Sequence, residues 1–470
     1  MITIMDAYNI KKFIDKCDYD FLAKWCESIG HPRDIAQLEK RLLWENNEEF
    51  EKIRNWEKTE NQKISEAKKS LTWLVELIQK TKHEDLDSYE GYDQIPFIEL
   101  WKPLESWAGN IITKASTLTP NKVCVSENAK NSLIRGLYIE LSDLTEQVLI
   151  KKLNESRNIN EIMAEITSYQ YSQDANNQIP KDQYISFIRD TKNNFENILK
   201  EYPVLYLHIN TIVNRWETTT RKLLTRISAD EKELRKKFNV VSDKIINVRH
   251  TGSDSHNGGE QVLIIYFKSI LADNELIKVV YKPRSVGLET FFYAILKLFA
   301  SLETESVSLF PALLDRETYG YSEFVEHRLC KCEKEMKRFY INSGKILATL
   351  HITGGSDCHQ ENLIARFDNL MLIDGETLME PRLRHTYIDK DNKIDSVEES
   401  YSVARTGMLP SQIYSIKLKK FIDISCLGSP TCEEDEELFA KQRWLFTNTN
   451  YMMKLDLLDE CLFNPCLPSK

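Results

Sequence analysis

Asp357 and Asn362 stand five positions apart in Gly354-Gly355-Ser356-Asp357-Cys358-His359-Gln360-Glu361-Asn362, and an apolar run, Leu370-Met371-Leu372-Ile373, leads on to Asp374. These types and spacings suit phosphoryl transfer. An Asp can orient a hydroxyl or take its proton, and an Asn with a second Asp can hold Mg²⁺ against the phosphates of ATP. Glu376, two residues further, can support the metal. His359 reads equally as a catalyst or as a structural hydrogen-bonder. The apolar run predicts a buried strand that ends at Asp374.

Two earlier segments fit the same chemistry. Thr251-Gly252-Ser253-Asp254-Ser255-His256-Asn257-Gly258-Gly259 is a glycine-bearing loop. Glycines such as Gly258 and Gly259 let backbone approach phosphate oxygens, and they equally make a tight turn between strands. Asp254 and His256 could act on the transferred phosphoryl group or its leaving group. Val279-Val280-Tyr281-Lys282-Pro283-Arg284-Ser285 then places Lys282 at the end of an apolar strand, where it can reach ATP phosphates or simply be solvated. Arg284 is grouped with Lys282 as a nucleotide-binding cation. Glu289 opens the next helix; it can pair with Lys282, or its place can reflect the helix dipole.

The elements that must position these groups change character near residue 236. Residues 1–235 read as largely helical, with apolar stripes at 61–81, 132–154, 194–207 and 209–229, a break at Pro203 and a polar connection at 173–181. Residues 236–470 begin with β-branched and aromatic runs at 262–267 and 276–281, a predicted hairpin. Helices at 288–302 and 333–351, a short extended stretch at Phe324-Val325 and the strand at 370–373 follow. This order predicts an α+β fold with a kinase-like pair of lobes behind a helical N-terminal region.

Composition narrows the class. A chain of 470 residues can bury a sizeable core, and 15 Gly and 13 Pro are too few for a loop-rich or disordered chain. A net charge of −10 argues against broad nucleic-acid binding. No signal peptide or membrane-spanning run is evident, so the cytoplasm is the expected compartment. Cys330-Lys331-Cys332 is the only close pair among ten cysteines, which reads as reduced thiols rather than a zinc site.

At these residues the chain resembles a known family, the N-terminal dehydratase domain of class II lanthipeptide synthetases, the LanM-type enzymes. The matching segments run in family order through Ser253–Gly259, Val280–Arg284, Tyr319-Gly320-Tyr321-Ser322-Glu323-Phe324-Val325, Asp357–Ala365 and Leu372–Leu378. Arg405-Thr406-Gly407-Met408-Leu409-Pro410 and Asp423-Ile424-Ser425-Cys426-Leu427-Gly428 continue it. The resemblance is specific from about 250 to 430 and generic before 236.

It implies a lipid-kinase-like fold. It implies ATP- and Mg²⁺-dependent phosphorylation of Ser and Thr in a ribosomal precursor peptide, then elimination of phosphate to dehydroalanine or dehydrobutyrine. Lys282 is then expected at the ATP phosphates, Asp357 and Asn362 in the catalytic loop, and Asp374 at Mg²⁺. Asp254, His256 and His359 share phosphoryl transfer and elimination. Ser356 replaces the family's usual Thr, Gln360 an aromatic residue and Gly375 a Leu. Family members continue past the point that matches Lys470, through an Arg and a Thr needed for elimination, into a zinc-dependent cyclase. On that comparison the chain is expected to be truncated, split or acting with a separate subunit that carries the remaining dehydratase and cyclase, to lack a cyclase of its own, and to phosphorylate better than it eliminates. A peptide or protein Ser/Thr kinase without elimination, and a non-catalytic precursor-binding fragment, are the alternatives.

Overall fold

A computed structural model describes residues 62–81, 94–157, 180–253, 256, 258–272, 275–301, 310–379, 402–415, 420–423, 425–428, 439–459 and 466–468. Most of the polar connection expected at 173–181 therefore lies outside the described residues. The chain forms two units, residues 1–79 with 194–210, and residues 80–193 with 211–470. The expected mixed α+β class is borne out.

The helices are α1 Thr72–Lys80, α2 Ile98–Trp101, α3 Glu105–Thr117, then, after the short strand β1 Cys124–Val125, α4 Glu127–Glu155. They continue through α5 Asp182–Asn193, α6 Phe195–Glu201, α7 Val204–Ala229 and α8 Glu231–Phe238. Apolar spacing explains them: α1 buries Leu74, Val75 and Ile78 on one face. Ser126 caps α4, its hydroxyl accepting the Ala129 N–H at 3.2 Å. The break between α6 and α7 falls at Tyr202-Pro203, as the proline requires.

A sheet begins where the helices end. Strands β2 Val240–His250, β3 Leu263–Ser269 and β4 Leu276–Lys282 precede helix α9 Gly287–Ser301 and strands β5 Leu313–Asp315 and β6 Gly320–Glu323. The sheet order is β1-β2-β3-β4-β6-β5. The hairpin of β3 and β4 pairs Leu263 with Tyr281 and Lys268 with Leu276. Because side chains alternate along a strand, Tyr281 and Lys282 leave β4 on opposite faces. β1 joins β2 in parallel, so the helical segment that carries β1 and α4 is stitched to the sheet by backbone hydrogen bonds.

Helix α10 Glu333–Ile352 and the two-stranded sheet of β7 Leu363–Arg366 and β8 Asn369–Leu372 build a second core. Phe292 and Tyr293 from α9, Phe339, Ile346 and Leu350 from α10, and Leu363, Leu370 and Leu372 from the strands are buried together there. Each such side chain contributes about 1.5–3 kcal/mol when fully buried. The polar residues next to them in sequence are held accordingly: Asn362 precedes Leu363, and Asp374 follows Leu372 by two.

Two further hairpins close the described chain, β9 Gln412–Ser415 with β10 Lys420–Asp423, and β11 Phe439–Leu445 with β12 Met453–Asp459. The tip of the last one is plugged into the helices. Asn448 accepts the Phe97 N–H and donates to the Ile95 carbonyl, both at 2.9 Å. Asn450 accepts the Tyr184 N–H at 2.9 Å, and Arg157 donates to the Asn450 carbonyl at 2.7 Å. Among the described residues no helix is long and apolar enough to cross a membrane.

Candidate functional site

Lys282, the last residue of β4, is almost fully buried, and its ammonium group meets the first turn of α9. Nζ lies 3.1 Å from Glu289 Oε1 and also donates to the Ile373 carbonyl. The pairing of Lys282 with Glu289, one of two readings open in the sequence, is made. Arg284 joins from the turn after β4, 2.9 Å from the same Glu289 oxygen; it also bonds Asp374 and lies 3.5 Å from Glu376. Gly375 has no side chain where a Cβ would come within 3.1 Å of Glu289 Cγ, so Asp374 and Glu376 can close over Glu289.

The charges shape one another. Burial alone would raise the Glu289 carboxyl, but the Lys282 ammonium and the Arg284 guanidinium outweigh it and hold that carboxyl below its ordinary value of 4.5. Burial alone would lower Arg284, but Glu289 and Asp374 hold it above its ordinary range.

The residues of the 354–362 loop connect to this cluster through backbone. The Asn362 carbonyl accepts the N–H of Ile373 at 2.9 Å and of Asp374 at 3.4 Å. Asn362 Nδ2 donates to the Asp357 carbonyl at 2.8 Å, which leaves Oδ1 as the atom able to ligate a cation. Asp357 sits at φ 59°, a left-handed conformation that Asp and Asn tolerate better than most residues, and its side chain is 57 % exposed. His359 Nδ1 accepts the Glu361 N–H at 3.3 Å, so Nε2 carries the ring's proton and faces Asp357 Oδ1, also at 3.3 Å. In this geometry His359 orients Asp357.

Segments whose role was not legible in the sequence brace the loop. Cys358 N–H donates to the Thr406 carbonyl at 2.8 Å, and His359 forms an isolated bridge with Ser425. Gly407, at φ 75°, passes so close that a Cβ would lie 3.2 Å from the Cys358 nitrogen. Cys358, Cys426 and Cys466 fill the space beneath. Burial, with the Asp357 and Asp374 carboxylates nearby, pushes the Cys358 thiol up to about 12. Cys330 and Cys332 are free thiols.

The glycine loop is placed differently. Asp254 lies outside the described residues. His256 and Glu260 close a tight turn, with His256 N–H donating to the Glu260 carbonyl at 2.7 Å and Glu260 N–H returning to the His256 carbonyl at 2.8 Å. Gly258 is open, whereas the room for a side chain at Gly259 is filled by Arg215 of α7. The Glu260 carboxylate is buried against Lys222 at 3.1 Å, Arg226 and the Tyr281 hydroxyl. Burial and the Glu260 carboxylate push the Tyr281 phenol above its ordinary range. This anchor lies on the Tyr281 face of β4, opposite Lys282. The structure thus gathers Lys282, Arg284, Asp357, His359, Asn362, Asp374 and Glu376 into one contact network, and holds His256 and Gly259 at a second, anchored by Glu260.

A family described as "Domain of unknown function (DUF4135)" matches residues 202–455. The chain belongs to this family. The match covers both the anchor on α7 and the whole Lys282–Asp374 network. The chain is also 26% identical over 284 residues to a lacticin 481/lactococcin biosynthesis protein of Lactococcus lactis subsp. lactis, a match that covers 58% of this chain and 29% of that protein. It therefore spans less than a third of the length of the relative it matches. The resemblance to LanM-type synthetases expected from the motifs is borne out by this relative.

Proposed function

We propose that this chain acts in lanthipeptide biosynthesis as a dehydratase, phosphorylating Ser and Thr of a ribosomal precursor peptide with ATP and then eliminating phosphate. The single observation that carries it is the continuous contact path from Lys282 through Glu289 and Arg284 to Asp374, and from Asp374 through Asn362 to Asp357. Every group that phosphoryl transfer needs lies on that path. The sheet that carries Lys282 and the core that carries Asp357 and Asp374 then serve as the two lobes of a lipid-kinase-like region within 236–470, behind the helical 1–235.

The residues present fit Mg·ATP. Among the described residues no three His, Cys, Asp or Glu side chains form a ready-made cation cage. Mg²⁺ seldom uses one; it takes one or two carboxylates and completes its shell with phosphates and water. Asp374, Asn362 Oδ1 and Glu376 are hard oxygen donors of that kind. Glu289 Oε2, buried and without a hydrogen-bond partner, adds negative potential beneath them. The cation, when bound, neutralises phosphate charge. Lys282 holds the phosphates from the sheet side. Asp357, oriented by His359, positions the substrate hydroxyl and receives its proton.

The decisive experiment is a mass measurement on a candidate precursor peptide incubated with the protein, ATP and Mg²⁺. A gain of about 80 Da reports phosphorylation and a loss of about 18 Da reports dehydration. Either change supports the enzymatic assignment, and a dehydrated product supports both steps of it. Phosphopeptide alone would favour a kinase without elimination, and an unchanged peptide would overturn the enzymatic assignment.

A further inference from the structure

We propose that Arg284 competes with the divalent cation for Asp374 and Glu376, and transfers to the nucleotide phosphates when the cation takes its place. This rests on the assignment of the site to Mg·ATP and adds a role to one of its residues. Arg284 is bonded to Asp374, 2.9 Å from Glu289 and 3.5 Å from Glu376. A guanidinium and a divalent cation cannot share the same carboxylate oxygens, because their charges repel at this range in a partly buried site. Glu289 Oε1 already takes both Lys282 and Arg284.

The charge balance sets the direction. Glu289, Asp374 and Glu376 carry three negative charges, and Lys282 and Arg284 carry two positive ones. A divalent cation turns that net −1 into +1 and releases the donors of a guanidinium. The polyanion that the site is built to receive then meets both. Pro283 fixes the backbone between the two cationic residues, so the exchange is a side-chain rotation. Arg284 thereby couples the two ligands: it opposes the cation alone and favours cation and nucleotide together.

The test is the affinity for Mn²⁺, read from the electron paramagnetic resonance of the free ion, with and without a non-hydrolysable ATP analogue. Arg284→Met should bind Mn²⁺ alone about tenfold more tightly than wild type, yet bind the analogue about tenfold more weakly at saturating Mn²⁺. Arg284→Lys, a point charge without the fork, should fall between. In wild type the analogue should tighten Mn²⁺ binding, and that coupling should shrink in both variants. If Arg284→Met fails to fold, the lysine variant and the wild-type coupling decide. Unchanged or weaker Mn²⁺ affinity in the variants, or no coupling in wild type, would overturn the exchange. Tighter Mn²⁺ binding in a protein that never binds the analogue would instead retain the competition and sink the nucleotide assignment.

Discussion

Lys282 and Glu289 face each other at 3.1 Å with 5 % and 1 % of their surfaces exposed, and they come from different elements, the last residue of a strand and the first turn of a helix. A buried pair of this kind adds little net stability, but removing one partner strands the other charge at a cost of about 3–5 kcal/mol. Its value lies in placing an ammonium group at a fixed point against the Ile373 carbonyl, one residue before Asp374. Lys282→Ala and Asp374→Asn should therefore each weaken Mg·ATP binding, measured by calorimetry. Wild-type affinity in both variants would show that the nucleotide binds elsewhere.

The same pair makes stability depend on acid. The Glu289 carboxyl is held below its ordinary value of 4.5. A depressed carboxyl contributes stability that is present above its unfolded value and is lost as pH falls through the folded one. The urea midpoint of the wild type should drop as pH goes below 4.5, and Glu289→Gln should show a shallower drop from a lower neutral starting point. Parallel acid profiles would mean that Glu289 is not the group responsible.

Asp357→Asn is the informative change in the 354–362 loop. Asn accepts the left-handed backbone at φ 59°, so the loop should survive. Fold and nucleotide binding should be retained while peptide phosphorylation falls by about a hundredfold or more. A variant that phosphorylates at the wild-type rate would remove Asp357 from the chemistry. Asp357→Ala is less clean, because it adds about 1–2 kcal/mol of backbone strain.

Cys358 adjoins Asp357 but should be inert. With its thiol pushed up to about 12, only about one molecule in ten thousand is thiolate at pH 8. Among the cysteines of the described residues, iodoacetamide should modify the exposed Cys124 and Cys332 first in folded protein and leave Cys358 until the chain is unfolded. Mass spectrometry of the labelled peptides separates them. Early labelling of Cys358 would show that the core beneath the loop opens readily.

Asn448 should carry more stability than its place in a hairpin tip suggests. Its amide satisfies the buried Phe97 N–H and Ile95 carbonyl, and its backbone is left-handed, at φ 61°. Asn448→Ala should cost about 2–5 kcal/mol in denaturant titrations, from two stranded backbone groups and the added strain. A loss under about 0.5 kcal/mol, the range of ordinary surface changes, would contradict the plug.

What could be read from the sequence was what is local. The β3–β4 hairpin showed as two β-branched and aromatic runs, and α9 and α10 as apolar stripes of helical period. Lys282, Asp357, Asn362 and Asp374 stood out because their neighbours in sequence are the apolar residues that position them. Strand β2 did not, because register shifts between Val241, Ile245 and Asn247 break its alternation. The anchor at Glu260 is invisible for another reason: Arg226 and Tyr281 lie 34 and 55 residues from their partners and meet only once the sheet packs on α7. Whether Gly259 served a phosphate or a neighbouring side chain depended on Arg215, which no spacing in the loop could indicate.

The plugged hairpin also sets a clock. Phe97 receives its partner Asn448 only after 351 further residues have been made. At roughly 5–20 residues per second of synthesis, that is a wait of about 20–70 s. Until the tip arrives, the Phe97 and Tyr184 N–H groups and the Ile95 carbonyl that it satisfies must bond to water instead. The early helices of this chain are therefore expected to be the part most dependent on chaperones while the ribosome is still at work.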